Sequence, residues 1–230
     1  MAVPFHIAID GPVAAGKGTV SRLVAERLGF LYVDTGAMYR VTAYLALKNT
    51  IAYADEAGLV KMLKQAKIEM HNPTADEKDG RLTTVVVDGD DVSWKIRTEE
   101  VSAGASQVAQ LKHVREILVE KQQEIAKGQD VVMEGRDITY RVLPDAAMKI
   151  FLTGQDVVRA KRRHLQLQTR GTDTSFESVF SELIKRDQQD MERSVDPLKI
   201  IPEAWVVDTS DLAINQVVDL IVAKVKVMRG

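Results

Sequence analysis

Residues 11 to 19 read Gly11-Pro12-Val13-Ala14-Ala15-Gly16-Lys17-Gly18-Thr19. Two glycines five positions apart, the second followed at once by lysine, suit a backbone that must wrap a phosphate. Gly11 and Gly16 permit a tight turn and close approach. Inward-facing N–H groups then meet phosphate oxygens. Lys17 brings a point charge to the outer phosphates, and Thr19 offers a hydroxyl to Mg2+. The flanks agree: an apolar run, Phe5 to Asp10, precedes the loop, and helical spacing at Val20, Leu23, Val24 and Leu28 follows it. A helix beginning near Lys17 adds its positive dipole end. The hydroxyl arrives one place late, after Gly18, and this Lys-Gly-Thr order points to nucleotide kinases rather than GTPases. No Asn-Lys-x-Asp base-reading motif is present.

Three further clusters carry potential chemistry. Asp34-Thr35-Gly36-Ala37-Met38-Tyr39-Arg40 supplies a hydroxyl, free N–H groups and an arginine fork for a second phosphate, or else a simple helix cap. Glu134-Gly135-Arg136-Asp137 could serve a metal or phosphate, or form a structural ion pair. In the helical stretch 175–193 the apolar stripe Phe176, Val179, Phe180, Leu183, Ile184 gives out, while Arg186, Asp190 and Arg193 share one face. Such a helix projects over something anionic, or carries a solvated charged face. His113-Val114-Arg115-Glu116 reads by residue type as solvated helix surface.

The elements that must position these residues follow from periodicity. Five apolar runs read as buried strands: Phe5 to Asp10, Leu31 to Asp34, Asp130 to Glu134, Met148 to Thr153 and Ala204 to Asp208. Helical patterns between them predict an α/β fold, a five-stranded parallel sheet flanked by helices. Leu82 to Asp88, ending at Gly89, is a strand of another kind inside an inserted subdomain at 60–100, the expected acceptor-binding insert. His71 to Gly80 reads as a mobile surface loop. The P-loop core is then 1–59, 101–154 and 194–230, with a helical lid at 155–193. The 230 residues, 45% hydrophobic and 28% charged with net charge −2, are ordinary for a globular chain and give no global pull toward nucleic acid or anionic membrane. There are no cysteines, and the four histidines are scattered. The N-terminus has no basic n-region, and no window approaches the roughly 18 apolar residues of a membrane span. A cytoplasmic protein without nucleic-acid or membrane partners is expected.

Taken together, G-P-V-A-A-G-K-G-T, D-T-G-A-M-Y-R, D-V-S-W-K-I-R-T, A-S-Q-V-A, V-R-E, G-R-D-I, L-P-D-A, K-I-F-L and K-R-D-Q-Q-D resemble, in order and spacing, the bacterial cytidylate kinases over nearly the whole chain. The resemblance implies transfer of the γ-phosphoryl of ATP to CMP or dCMP, with Mg2+, by a monomer. It implies that Thr35, Arg40 and Arg136 contact the acceptor phosphate, that Ser106, Arg115 and Asp137 read the cytosine edge, and that Arg186 and Asp190 hold the ribose. It places Arg193 with Arg159, Arg162 and Arg163 among lid arginines over the phosphates. Lys17, Arg136, Arg186 and Arg193 are the implied catalytic set, and the loop 11–19 with Arg159 and Arg163 the ATP site. By residue type alone, a kinase for another small acceptor and a nucleotide-dependent switch stay open. Two departures stand out. Val13-Ala14 replaces the Ser-Gly of many relatives. Thr139-Tyr140-Arg141 replaces the usual Gly-Thr-Val, and Arg141 is expected to add a cation near the acceptor that alters affinity or selectivity.

Overall fold

Five parallel strands form the central sheet: β1 (His6–Asp10), β2 (Leu31–Asp34), β6 (Val131–Gly135), β7 (Met148–Thr153) and β8 (Trp205–Asp208), in the order β2-β6-β1-β7-β8. The computed structural model describes residues 3–169 and 171–230. Met1, Ala2 and Arg170, the last within the stretch read as a lid, lie outside the described residues. In β1, Ile7 and Ile9 join one buried cluster and Ala8 the other, as alternation across a sheet covered on both faces requires. Register decides what meets at the carboxyl edge. Asp10 lies opposite Gly135 and Asp34 opposite Glu134, so three strand ends deliver their acids side by side.

The helices start where the sequence supplies caps. Helix α1 (Lys17–Leu28) opens after Gly16 and closes at Gly29, both left-handed. Asp34 caps α2 (Thr35–Lys48) by accepting the Ala37 N–H at 3.1 Å. Helix α3 (Glu56–Gln65) leads into an antiparallel sheet of β3 (Ile68–His71), β4 (Thr84–Val87) and β5 (Asp90–Asp91). Thr98 caps α4 (Glu99–Val108), and α5 (Lys112–Ala126) returns to the main sheet. Beyond β7, α6 (Asp156–Thr169) and α7 (Phe176–Glu192) pair, and α8 (Ile214–Arg229) packs on α1.

The surface segment 71–80 is tied down at several points by hydrogen bonds. Asn72 bonds β2 and the residue before it, accepting Tyr32 N–H at 2.9 Å and donating to the Phe30 carbonyl at 2.8 Å. Thr74 and Glu77 form a reciprocal capping box, and Glu77 also meets His71 and Thr84. The segment is mostly exposed, and part of its polarity serves these local hydrogen bonds.

Candidate active site

The phosphate loop is shaped by close backbone approach. Gly11 has φ +155°, and a β-carbon there would fall 2.0 Å from the Leu152 carbonyl oxygen. Gly16 has φ +88°, and Ala14 takes φ +57°, a conformation that ordinarily favours glycine. Lys17 is buried and donates from Nζ to the Pro12 carbonyl at 2.8 Å. Burial, then the nearby Arg136 guanidinium, lowers its pKa to about 7. Val13 is gripped on both sides. Its N–H donates to Asp187 Oδ1 at 2.8 Å, and its carbonyl accepts from Arg159 at 2.7 Å. Arg159 and Asp187 pair with each other at 2.5 Å. Arg159, assigned in the sequence reading to the ATP contacts, is thus 3% exposed and spends its remaining donors on Gly154 and Asp156. It fastens α6 and α7 to the loop.

Two cavities adjoin at this loop. One, of about 400 Å³, runs from Lys17 past Thr35, Arg40, Arg136 and Arg186 to Ser106, Arg115, Asp137 and Arg193. The other, of about 420 Å³, is walled by Ala14 to Thr19, Arg162, Thr209 and Leu212. Lys17, Gly18, Leu82 and Arg163 belong to both. Gly11 and Pro12 lie behind the walls.

Around the first cavity the cations are unequally occupied. Asp34 is shared by Arg40 at 3.4 Å and Arg97 at 3.2 Å. Arg136 donates to Asp190 at 2.6 Å. Arg186 has no hydrogen-bond or ion-pair partner among the described residues, although burial and Arg136 make its charge costly. The Thr35 hydroxyl donates to the Glu134 carbonyl at 2.8 Å, leaving its lone pairs to the cavity. Burial, then Asp34, raises the Glu134 pKa.

At the far end Arg115 is 1% exposed, unlike the solvated surface that its helical sequence suggests. It donates to Asp137 at 2.5 Å, to Asp196 at 3.2 Å and to the Ala109 carbonyl at 3.2 Å, and stacks 5.5 Å from the Tyr39 ring centroid. Burial raises the Asp137 pKa, and Arg115 opposes that. Ser106 stands on the same wall, its hydroxyl donating to Ser102 O at 3.4 Å. Arg193 donates to the Asp196 carbonyl at 2.7 Å and lies 3.6 Å from Asp137, on the Arg115 side of the cavity rather than over the loop.

Arg141 departs from expectation. It is not on the cavity wall but outside, 3.7 Å from Asp196. Thr139 turns inward, its hydroxyl donating to Asp10 at 2.6 Å, and Tyr140 donates to the Pro197 carbonyl at 2.6 Å. A π-type turn over Ile138–Val142 aims the three side chains apart. Sequence reasoning missed Asp187 and Asp196 and gave Arg97 no role. Asp187 and Asp196 sit beside the quoted arginines, but only the fold reveals their partners.

A family model described as cytidylate kinase matches residues 7–227. The cytidylate kinase of Caldicellulosiruptor bescii is 46% identical over 92% of this chain and 91% of its own. That of Geobacillus sp. (strain WCH70) is 47% identical over 94% of each. Among solved structures, an uncharacterized protein from Eubacterium ventriosum shares the fold, with a TM-score of 0.54 at 10% identity, covering 96% of this chain and 98% of that one. Agreement of this extent along the sequence, on a sheet whose carboxyl edge carries the phosphate loop, means that the chain belongs to the cytidylate kinase family.

Proposed function

We propose that ATP lies in the cavity beside Thr19, that CMP or dCMP lies in the one ending at Arg115, and that the γ-phosphoryl group crosses where they meet. Membership of the family makes the chain a (d)CMP kinase, a phosphotransferase. The observation that carries the assignment of sites is that Lys17 lines both cavities. An oxygen of the acceptor phosphate attacks the γ-phosphorus, the bond to the β,γ-bridging oxygen breaks, and ADP leaves with those electrons. The attacking oxygen is already anionic, so catalysis consists of positioning and charge stabilisation.

Lys17 exchanges the Pro12 carbonyl for a phosphate oxygen. Arg186, with no hydrogen-bond or ion-pair partner among the described residues, takes developing negative charge, with Arg136 and Arg40 aligning the acceptor phosphate. Arg115, Asp137 and Ser106 face the base; a carboxylate beside donors complements cytosine's amine and its two acceptors. Asp190 and Arg186 border the ribose position. The Thr19 hydroxyl, on the ATP-side wall with no hydrogen-bond partner among the described residues, fits one ligand of a Mg2+ ion held mainly by phosphates. When bound with ATP, Mg2+ neutralises charge on the phosphate oxygens. Helices α6 and α7 act as a lid carrying Arg162, Arg163, Arg186 and Arg193, and exclude water as a rival acceptor. The chain works as a monomer inside the cell.

Coupled ADP-release assays with CMP, dCMP, UMP, AMP, shikimate or no acceptor test this reading. Turnover should be greatest with CMP or dCMP and negligible without acceptor. Equal ADP release with and without CMP would overturn it.

A further inference from the structure

Beyond α7 the chain turns through Asp196 with φ +46°, a left-handed backbone tolerated by few residues besides glycine, asparagine and aspartate. Its carbonyl accepts two N–H bonds from Arg193, one of them at 2.7 Å. Its carboxylate has different partners. One oxygen accepts from Arg115 Nε at 3.2 Å, and the other lies 3.7 Å from Arg141 Nε. Neighbouring contacts hold this segment: the Tyr140 hydroxyl on the Pro197 carbonyl, Lys199 Nζ 4.1 Å from the Tyr140 ring centroid, and Leu198 N–H on the Asp190 carbonyl at 2.8 Å. Arg115 and Arg193 meet again at Asp137, at 2.5 and 3.6 Å. The result is a closed ring: Arg115, Asp137, Arg193, Asp196. Asp196 itself is not on the cavity wall.

We propose that Asp196 is a positioning residue for the acceptor base, fixing the plane of the Arg115 guanidinium so that Asp137 and Arg115 present one rigid edge. The proposal rests on the reading of Arg115 and Asp137 as the base site. A planar fork tied along two edges cannot rotate, whereas one tied only at Asp137 can. Without the Asp196 carboxylate, the buried Nε donor is left unpaired and competes for Asp137. Arg141, expected to add a cation near the acceptor, acts instead with Tyr140 by keeping residues 194–199 in place. Through the Asp196 carbonyl the base edge is joined to Arg193, so the base pocket and the end of the lid share one anchor.

Steady-state kinetics of Asp196→Gly test this, since glycine accepts the left-handed backbone and deletes only the carboxylate. KM for CMP should rise about tenfold, equivalent to about 1.4 kcal/mol. The kcat and KM for ATP should stay within about twofold, and CMP-over-UMP discrimination should fall. Asp196→Asn, which keeps an acceptor oxygen, should rescue part of the loss and decides the matter if the glycine variant does not fold. Arg141→Met should shift KM for CMP in the same direction by a smaller factor. Unchanged KM for CMP and unchanged discrimination in folded Asp196→Gly or Asp196→Asn would overturn the proposal, as would equal rises in both KM values. Arg115→Met is the control: if it too leaves CMP kinetics unaltered, the base-site reading itself has failed.

Discussion

A lysine whose burial outweighs the pull of nearby Glu134, Asp190 and Asp10 is held part-way to its neutral form. Lys17 has a pKa near 7 because burial and then Arg136 disfavour its charge. A triphosphate reverses that balance. ATP binding at pH 7 should therefore take up about half a proton at Lys17. The uptake should fall at pH 6, where the ammonium form already prevails, and affinity should weaken as pH rises above 7. Calorimetry in buffers of different ionisation enthalpy measures this, with Lys17→Met as the variant that should lose the Lys17 share. Uptake identical in the two proteins would refute the role. Lys17→Ala should fold and lose on the order of 10²–10³ in kcat, the usual cost of deleting one donor to developing charge. At this scale the sequence was most informative where backbone must wrap an anion, because only certain residue types allow it. It was least informative for Arg115, since a guanidinium on a polar helix looks solvated until Asp137 and Asp196, 22 and 81 residues away, are folded against it.

Among the elements, the phosphate loop is held from outside as much as by its own turns. Gly11→Ala would drive a β-carbon into the Leu152 carbonyl, so β1 and β7 must separate or the turn must unwind. A loss of about 2–3 kcal/mol in urea unfolding is expected. The Arg159–Asp187 pair ties Val13 to α6 and α7. Asp187→Asn leaves Arg159 without its buried counter-charge and should cost about 3 kcal/mol of stability, with KM for ATP rising more than KM for CMP. Equal effects on both substrates would remove the loop-positioning interpretation. The five core strands and the helices α1, α7 and α8 were legible because apolar periodicity is local; β3, hidden before the polar stretch at 71–80, was not. The roles of Asp187 and the pinned loop at 71–80 were not, because each depends on a partner from another element. Arg141 shows the same limit: its charge was visible, but not the turn that sends it outward.

For the whole molecule, an open parallel sheet gathers its functional groups at one edge, and two cavities share the loop that β1 delivers there. The five parallel strands and the family were readable because the motifs sit at successive strand ends; the spatial order of the strands was not. That α6 lines both cavities, through Arg163 and Gln166, needed three dimensions. None of the helices among the described residues is long and apolar enough to cross a membrane. If α6 and α7 close only when both sites fill, amide exchange over residues 155–169 and 175–193 should slow more with ATP analogue plus CMP than with either alone. Unchanged protection with both bound would rule out lid closure. The most direct test of two nucleotides meeting at Lys17 is a crystal structure with a cytidine–adenosine bisubstrate analogue. It should show Lys17 on the bridging phosphates, the cytosine between Arg115, Asp137 and Ser106, and adenosine beside Arg162. Lys17 still on Pro12 and far from any phosphate, or the two nucleosides in unrelated clefts, would contradict it.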